Sequence, residues 1–115
     1  MPREIVDRSI ECSLCFGLYA PDGSQAGFGR AVTDRATCAY LADVFVLEAH
    51  RGRGLGVWLV KTIVGHPDLQ TLRRFVLFTA DAHALYRQCG FGPAQTPDWY
   101  MELVRDPREL YGSAS

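Results

Sequence analysis

An excess of basic charge, a long apolar run and a set of paired metal ligands are all missing from this sequence. The 12 Lys and Arg residues face 13 Asp and Glu residues, so the formal net charge is −1, which argues against a general nucleic-acid-binding protein. No apolar run is long enough to predict a membrane span. The N-terminal stretch MPREIVDRSIE carries too many charges for a signal peptide. We therefore expect a cytoplasmic protein with no nucleic-acid or membrane partner.

The cysteines and histidines do not form the pattern of a metal site. Cys12 and Cys15 form a CxxC pair, but Cys38 and Cys89 stand alone, and the three histidines are not paired at ligand spacing. A tetrahedral zinc site needs a second pair of ligands. Cys15 also lies in an apolar, strand-like segment, where a free cysteine behaves as a small hydrophobic residue. The sequence therefore predicts buried structural thiols and no metal.

The strand-forming segments predict a single sheet. A chain of 115 residues, 48% of them hydrophobic, has the size of one small domain, so residues 1–115 are expected to form a single domain. SLCFGLY and AGFGRAV flank the turn APDGSQ and predict a hairpin. AYLADVFVL is apolar almost throughout, which predicts a central strand covered on both faces, and RFVLFT predicts another buried strand. A final strand is predicted over WYMELV, with Trp99 and Tyr100 as strand aromatics.

Three helices are predicted around these strands. A short amphipathic helix follows Pro2 over REIVDRSIE. A second helix runs from Gly54 to Val64 and places Trp58 in the core, because the apolar residues follow helical spacing. A third helix over AHALYRQC starts with Asp81 as its cap and ends at Gly90. Strands and helices in this order fit one mixed α/β sheet.

The stretch HRGRGLG, residues 50–56, lies between the central strand and the second helix. Glycines at such a junction let backbone N–H groups approach a ligand closely, and a helix N-terminus favours negative charge, so a phosphate is the expected ligand. A Walker A loop is excluded because Val57 and Trp58 follow Gly56 where Lys and Ser or Thr are required. The Rossmann fingerprint is excluded because the glycines have the wrong spacing.

The pattern that remains is R-x-x-G-x-G over residues 51–56, and a second motif, ALYRQCGF, occupies residues 84–91. With both motifs, the sequence resembles the GNAT superfamily of acyl-CoA-dependent N-acetyltransferases, which carries the first motif at its pyrophosphate site and L-Y-x-x-x-G-F at the end of a helix. The similar region runs from about Ser13 to Leu103. The resemblance implies an α/β (α+β) domain with a mixed, mostly antiparallel sheet flanked by helices, whose first strand and helix are missing or shortened.

The resemblance also implies acetyl-CoA as co-substrate. The amides of residues 51–56 are expected to hold the pyrophosphate, and the backbone of residues 44–46, whose side chains are expected to be core, to pair with the pantetheine arm. Arg53 either adds charge or is merely solvated. Thr79 stands where the superfamily often has Asn, and Asp81 with the helix start could compensate. The expected coenzyme-binding residues are Val44, Phe45, Val46, Arg51, Gly52, Arg53, Gly54, Leu55, Gly56, Thr79 and Asp81.

Two residues are the expected catalytic groups. Tyr86 matches the superfamily tyrosine that protonates the leaving thiolate, and the alternative is that it only packs on Phe91. Asp43, an acid within an apolar run, is the expected base, acting directly or through water, or else it has a structural role. His83 and Glu48 are weaker candidates for the base.

The leading hypothesis is an N-acetyltransferase for a primary amine of a small molecule, peptide or protein. One alternative is a non-catalytic acyl-CoA-binding or assembly module with an incomplete acceptor site, and another is a generic nucleotide-binding domain. Without a preceding strand, SLCFGLY would have an uncovered edge, which favours a homodimer, unless the first helix covers that edge and leaves a monomer.

Overall fold

The structure, a computed structural model, describes residues 1–112. Four strands form one sheet in the order β1-β2-β3-β4. The first three strands pair antiparallel, and β4 is parallel to β3. This mixed, mostly antiparallel sheet flanked by helices is the predicted fold class. The strands are β1 (Ser13–Tyr19), β2 (Gln25–Thr33), β3 (Cys38–Val46) and β4 (Arg74–Val76).

Within residues 1–112, four α-helices accompany the sheet: α1 (Arg3–Glu11), α2 (Leu55–Val64), α3 (His83–Gln88) and α4 (Pro107–Tyr111). Short 3-10 turns cover Glu48–His50, Pro67–Leu69 and Pro97–Trp99. The three predicted helices are confirmed, and α2 begins directly after Gly54 as the glycine stretch predicts. α1 buries none of its residues.

The core lies between α2 and one face of the sheet. Leu59, Val60 and Ile63 of α2 are almost inaccessible to solvent and pack with Ala31 and Leu41 of the central strands. Burial of aliphatic side chains of this size stabilises a fold by about 1.5–3 kcal/mol each. The helix therefore holds its N-terminus, and the glycine loop before it, in a fixed place against the end of β3.

Gly29 in β2 allows α2 to pack closely on the sheet. A Cβ at this position would lie 2.7 Å from Cδ1 of Ile63, which is closer than carbon atoms can approach without displacement. Opposite Gly29, β3 has a bulge: Phe28 faces Phe45 and Arg30 faces Ala42. Bulges of this kind bend a strand and re-aim its side chains.

Two predicted features of the strands are wrong. β3 alternates between buried and exposed residues, so it is covered on one face rather than on both. β4 ends at Val76 instead of continuing to Thr79, and neither Val76 nor Phe78 is buried. A continuous apolar run predicts coverage on both faces only if helices lie on both sides of the sheet, and here α2 packs on one side.

The predicted final strand over residues 99–104 is not formed: after the Pro97–Trp99 turn, this segment has no regular structure and pairs with no strand in the described part of the chain. Trp58, Trp99 and Tyr100 are 57%, 80% and 53% exposed rather than packed in the core. The sequence pattern of a segment predicts which of its side chains would be buried in a strand. A strand also needs a free sheet edge of matching length to pair with, and β4 has only three residues, which is too short for residues 99–104.

The prediction of buried structural thiols is wrong for three of the four cysteines. Cys12, Cys15 and Cys38 are exposed, whereas Cys89 is half-buried and packs against the core. Cys12 ends α1 and Cys15 lies on the exposed face of β1, so an apolar neighbourhood in the sequence does not place these side chains in the core. The described residues contain no group of three His, Cys, Asp or Glu side chains that could hold a metal ion.

Candidate active site

The candidate site forms where β3 and β4 separate. The two strands pair only between Cys38–Tyr40 and Arg74–Val76, whereas β3 continues to Val46. Beyond Tyr40, the edge of β3 that faces away from β2 has no strand partner in residues 1–112. Its peptide groups can therefore pair with an extended molecule that carries amides, as an added strand would.

Two adjoining clefts open at this separation. The larger one, the glycine-loop cleft, has a volume of about 540 Å³ and is lined by residues 44–46, residues 50–52, residues 54–57 and Leu85. The smaller one, the aromatic cleft, has a volume of about 370 Å³ and is lined by Tyr40, Asp43, Phe78 and Thr79 among others. Four residues line both clefts, namely Val44, Asp81, Ala82 and Tyr86.

The glycine loop ends with unpaired N–H groups at the start of α2. Gly52 and Gly54 have φ values of 79° and 74°, in the left-handed region that residues with a side chain rarely adopt. In residues 1–112, no backbone carbonyl accepts a hydrogen bond from the amides of residues 52–57. These amides and the positive end of the α2 dipole form an anion-binding surface.

The two arginines of the loop differ in position. The Arg51 side chain lines the glycine-loop cleft, and its Nε donates to the Val46 carbonyl oxygen at 2.9 Å, so it fixes the loop to the end of β3. Arg53 is exposed and lies outside the lining of both clefts. The other expected coenzyme-binding residues all line one cleft or both. Phe45, expected as core, is 43% exposed.

Asp43 lies in the bulge of β3, with a φ of 55°. Arg30 of β2 holds its carboxylate: Arg30 Nε donates to Asp43 Oδ2 at 2.9 Å. Arg30 Nη1 also donates to Ser13 Oγ at 3.0 Å, which connects the bulge to β1. The Asp43 side chain is 61% exposed and lines the aromatic cleft. The site thus contains a carboxylate with a fixed orientation.

Tyr86 of α3 lies at the junction of the two clefts. Its ring packs edge-on against Phe91, with centroids 5.8 Å apart, and the Phe91 amide donates to the Tyr86 carbonyl oxygen. The Tyr86 hydroxyl has no hydrogen-bond partner within the described chain. Burial, and to a lesser extent the Cys89 thiol group, raises the pKa of Tyr86 above its usual value. The hydroxyl therefore stays protonated at neutral pH and can donate a proton.

Thr79 rather than Asp81 terminates the loop before α3. Thr79 Oγ1 accepts a hydrogen bond from the Ala82 amide at 2.9 Å. The N-cap position is Ala82, so the prediction of Asp81 as the helix cap is wrong. The backbone conformation brings Thr79, three residues before Ala82, within reach of the Ala82 amide, whereas Asp81 does not bond to it. Asp81 is exposed at the edge of both clefts.

Several residues of the site belong to no sequence motif that would identify them as functional. Arg30 orients Asp43 from the neighbouring strand, Tyr40 and Phe78 line the aromatic cleft, and His50 lines the glycine-loop cleft. Arg30 is identified only once the register of β2 and β3 is known. Of the weaker candidates for a base, Glu48 lies in the turn after β3 and His83 is the exposed first residue of α3.

The fold and site define an α/β domain suited to an extended, anionic ligand along the free edge of β3. The sequence profile of the Acetyltransferase (GNAT) family matches residues 2–91. A crystal structure from Xanthomonas campestris pv. campestris, described as that of a proposed GNAT-family acetyltransferase, is 50% identical and has a TM-score of 0.85, covering 91% of this chain and 73% of its own. The chain belongs to the GNAT family of acetyltransferases.

Two further relatives extend this comparison. A proposed acetyltransferase of Gibberella zeae is 31% identical over an aligned length of 107 residues, gaps included; the match covers 75% of this chain, and the chain spans 59% of the length of that relative. A Bacillus subtilis acetyltransferase crystallised in complex with CoA is 21% identical with a TM-score of 0.67, and the match covers 91% of this chain and 74% of the other. This second likeness shows the shared fold. No helix of residues 1–112 has the length and apolar character needed to cross a membrane.

Proposed function

We propose that this protein is an N-acetyltransferase that transfers the acetyl group of acetyl-CoA to a primary amine of a small molecule, peptide or protein. The observation that carries the proposal is the location of Tyr86, which lines both the glycine-loop cleft and the aromatic cleft and whose hydroxyl has no hydrogen-bond partner in residues 1–112. Acyl transfer is accelerated when donor and acceptor are held side by side, and a positioned acid at the leaving group adds to the rate.

The glycine-loop cleft fits the chemistry of coenzyme A. The free amides of residues 52–57 suit a pyrophosphate, because they present several donors to its oxygens at the positive end of α2. The free edge of β3 at residues 44–46 suits the amides of the pantetheine arm. The CoA complex of the Bacillus subtilis protein, which shares the fold, supports the same ligand.

Acetyl-CoA supplies the acetyl thioester when bound. The acceptor must lose its ammonium proton, which Asp43 takes directly or through water, so that the nitrogen lone pair can attack the thioester carbonyl carbon. A C–N bond forms, the C–S bond breaks and the sulfur leaves with the electron pair. Tyr86 donates its hydroxyl proton to the departing sulfur and regains one from solvent, while the second nitrogen proton is released from the amide product.

The test is to incubate the protein with acetyl-CoA and a panel of primary amines while free thiol and acetylated product are both measured. We expect thiol and acetylamine to form in equal amounts with at least one amine. Coenzyme binding without product from any amine would favour the non-catalytic module. Binding of ATP or NAD in preference to coenzyme A would favour a generic nucleotide-binding domain.

A further inference from the structure

Three aromatic rings form a continuous, exposed row beside the aromatic cleft. Tyr40 and Phe78 meet edge-on with centroids 5.9 Å apart, and Phe78 meets Tyr100 at 5.7 Å. Their exposures are 40%, 66% and 53%, respectively. Contiguous apolar surface of this kind, next to a cleft, is a candidate surface for contact with an apolar ligand group.

A free carboxylate lies at the same cleft. Asp81 makes no hydrogen bond or ion pair through its side chain in the described chain, and α3 does not use it as a cap. Asp43, the other carboxylate of the cleft, is already paired with Arg30. Asp81 is therefore the acid in this cleft whose charge is not matched by a neighbouring cation.

The charge and the rings together define one class of ligand. An ammonium group gains from a carboxylate and from the faces of nearby aromatic rings. A flat apolar group gains from contact with exposed rings, because both surfaces leave water and the rings stack edge-on or offset. The cleft volume of about 370 Å³ is within the range of small-molecule pockets, about 300–1,000 Å³.

We infer that the aromatic cleft receives an arylalkylamine, whose ammonium group binds Asp81 and whose aromatic ring packs on Phe78 and its neighbours. This inference rests on the proposed function and adds the chemical class of the acceptor. Phe78 provides the contact that selects an aryl group, and Asp81 provides the contact that any cationic amine uses. The two residues thus have separable effects on specificity.

The experiment measures calorimetric binding of 2-phenylethylamine, n-hexylamine and spermidine to the free protein and to the protein saturated with CoA. We expect 2-phenylethylamine to bind about 5- to 10-fold more tightly than n-hexylamine, in line with the strength of aromatic contacts. Phe78→Leu should abolish this preference, and Asp81→Asn should weaken both monoamines about 10-fold through loss of the charge pair. Tyr19→Leu and Asp98→Asn are the matched controls, since both residues lie outside the lining of the clefts.

Equal binding of the two monoamines, or an aryl preference that survives Phe78→Leu, would overturn the inference. Preferential binding of spermidine would overturn it in favour of a polyamine site. The same amines are tested for acetylation by thiol release. Acetylation of n-hexylamine without any aryl preference would support the proposed function and contradict this inference. Selective binding of 2-phenylethylamine without acetylation of any amine would support this inference as a binding preference and contradict the proposed function.

Discussion

At the scale of single residues, Tyr86 has two roles that its environment makes compatible. Its ring packs on Phe91 at the end of α3, the residue lines both clefts, and its hydroxyl has no hydrogen-bond partner in the described residues. The same burial that packs the ring raises the pKa of the hydroxyl. A phenol buried in this way remains an acid rather than becoming a phenolate.

We expect Tyr86→Phe to lower kcat about 10- to 100-fold while CoA affinity stays nearly the same, because only the proton donor is lost. In the wild type, kcat should fall with rising pH only above the ordinary tyrosine pKa of 10.0, since the folded-state pKa is higher. Steady-state kinetics and calorimetry with CoA measure the two quantities. Tyr19→Phe, at an exposed position in β1, is the control. Unchanged turnover with a lower melting temperature would leave Tyr86 a packing residue only.

The residues of the site differ in how far the sequence could predict them. Tyr86 and the glycine loop lie within contiguous motifs, so they could be located without knowing the fold. The partner of Asp43 could not be predicted from the sequence. Arg30 lies on the neighbouring strand, and a bulge in β3 shifts the pairing that brings Arg30 next to Asp43. The residue that caps the loop before α3 is not predictable from the sequence either, since the choice between Thr79 and Asp81 depends on the path of one short loop.

At the scale of secondary-structure elements, the glycine loop and α2 act as a unit. Gly54 is the N-cap of α2 with a φ of 74°, and a Cβ there would meet no heavy atom within 4 Å. The constraint on this position therefore comes from the backbone angle rather than from crowding. A β-branched residue would force the loop into a different conformation.

We expect Gly54→Val to weaken CoA binding at least about 10-fold, because the amides of the loop would no longer converge on one anion. The matched control is Gly23→Val in the turn between β1 and β2, where φ is 90° and no heavy atom crowds a Cβ. Both variants should lose stability, by about 1–3 kcal/mol of backbone strain. Only Gly54→Val should lose CoA affinity in calorimetry. Equal CoA affinity in the two variants would contradict a role of this loop in binding the coenzyme.

The turn between β2 and β3 depends on Asp34. Its Oδ1 accepts hydrogen bonds from the amides of Ala36 and Thr37, and its Oδ2 accepts one from the Thr37 hydroxyl. The hydrogen bonds, led by that from the Thr37 hydroxyl, lower the pKa of Asp34 well below its ordinary value of 3.8. The carboxylate thus stabilises the fold above that pH, and the contribution is lost as the pH falls below it.

We therefore expect Asp34→Ala to lower the melting temperature at pH 7, and we expect the difference from wild type to shrink as the pH falls below 3.8. Thermal unfolding over a pH series measures both effects. Asp98→Ala removes an exposed carboxylate that makes no side-chain hydrogen bond in the described chain, and it should change neither. A pH-independent loss in Asp34→Ala would mean that the turn does not depend on the ionised carboxylate.

The sheet and its helices were largely predictable because their signals are local. Turn residues indicate the β1–β2 hairpin, Gly54 indicates the start of α2, and Gly90 indicates the end of α3. The sequence does not predict which strand faces are covered by helices, because this depends on which elements pack together in the fold. β3 and residues 99–104 are both apolar enough for buried strands, yet one is exposed on one face and the other is unpaired.

At the scale of the whole molecule, the sheet has two edges that differ in character. β1 is the first strand in the order, and α1 lies beside it without burying any of its own residues. Val6 and Ile10 of α1 are 37% and 47% exposed. An edge strand with an apolar helix face next to it and no charged side chain in SLCFGLY has little to prevent pairing with another strand. A second copy of the chain offers a complementary edge by two-fold symmetry.

We therefore expect a homodimer in solution that pairs through the β1 edge and α1. Light scattering over a concentration series should give about twice the chain mass of 12.8 kDa at high concentration. Cys15→Lys places a charge on the exposed side of β1 and should shift the equilibrium to monomer, because a lysine on an edge strand opposes pairing. Met101→Lys is the matched control: Met101 is 91% exposed and follows Tyr100, whose ring meets Phe78 just after β4, so this variant should leave the dimer intact. A mass near 12.8 kDa at every concentration would refute the dimer, and dissociation by Met101→Lys alone would move the interface to the side of β4.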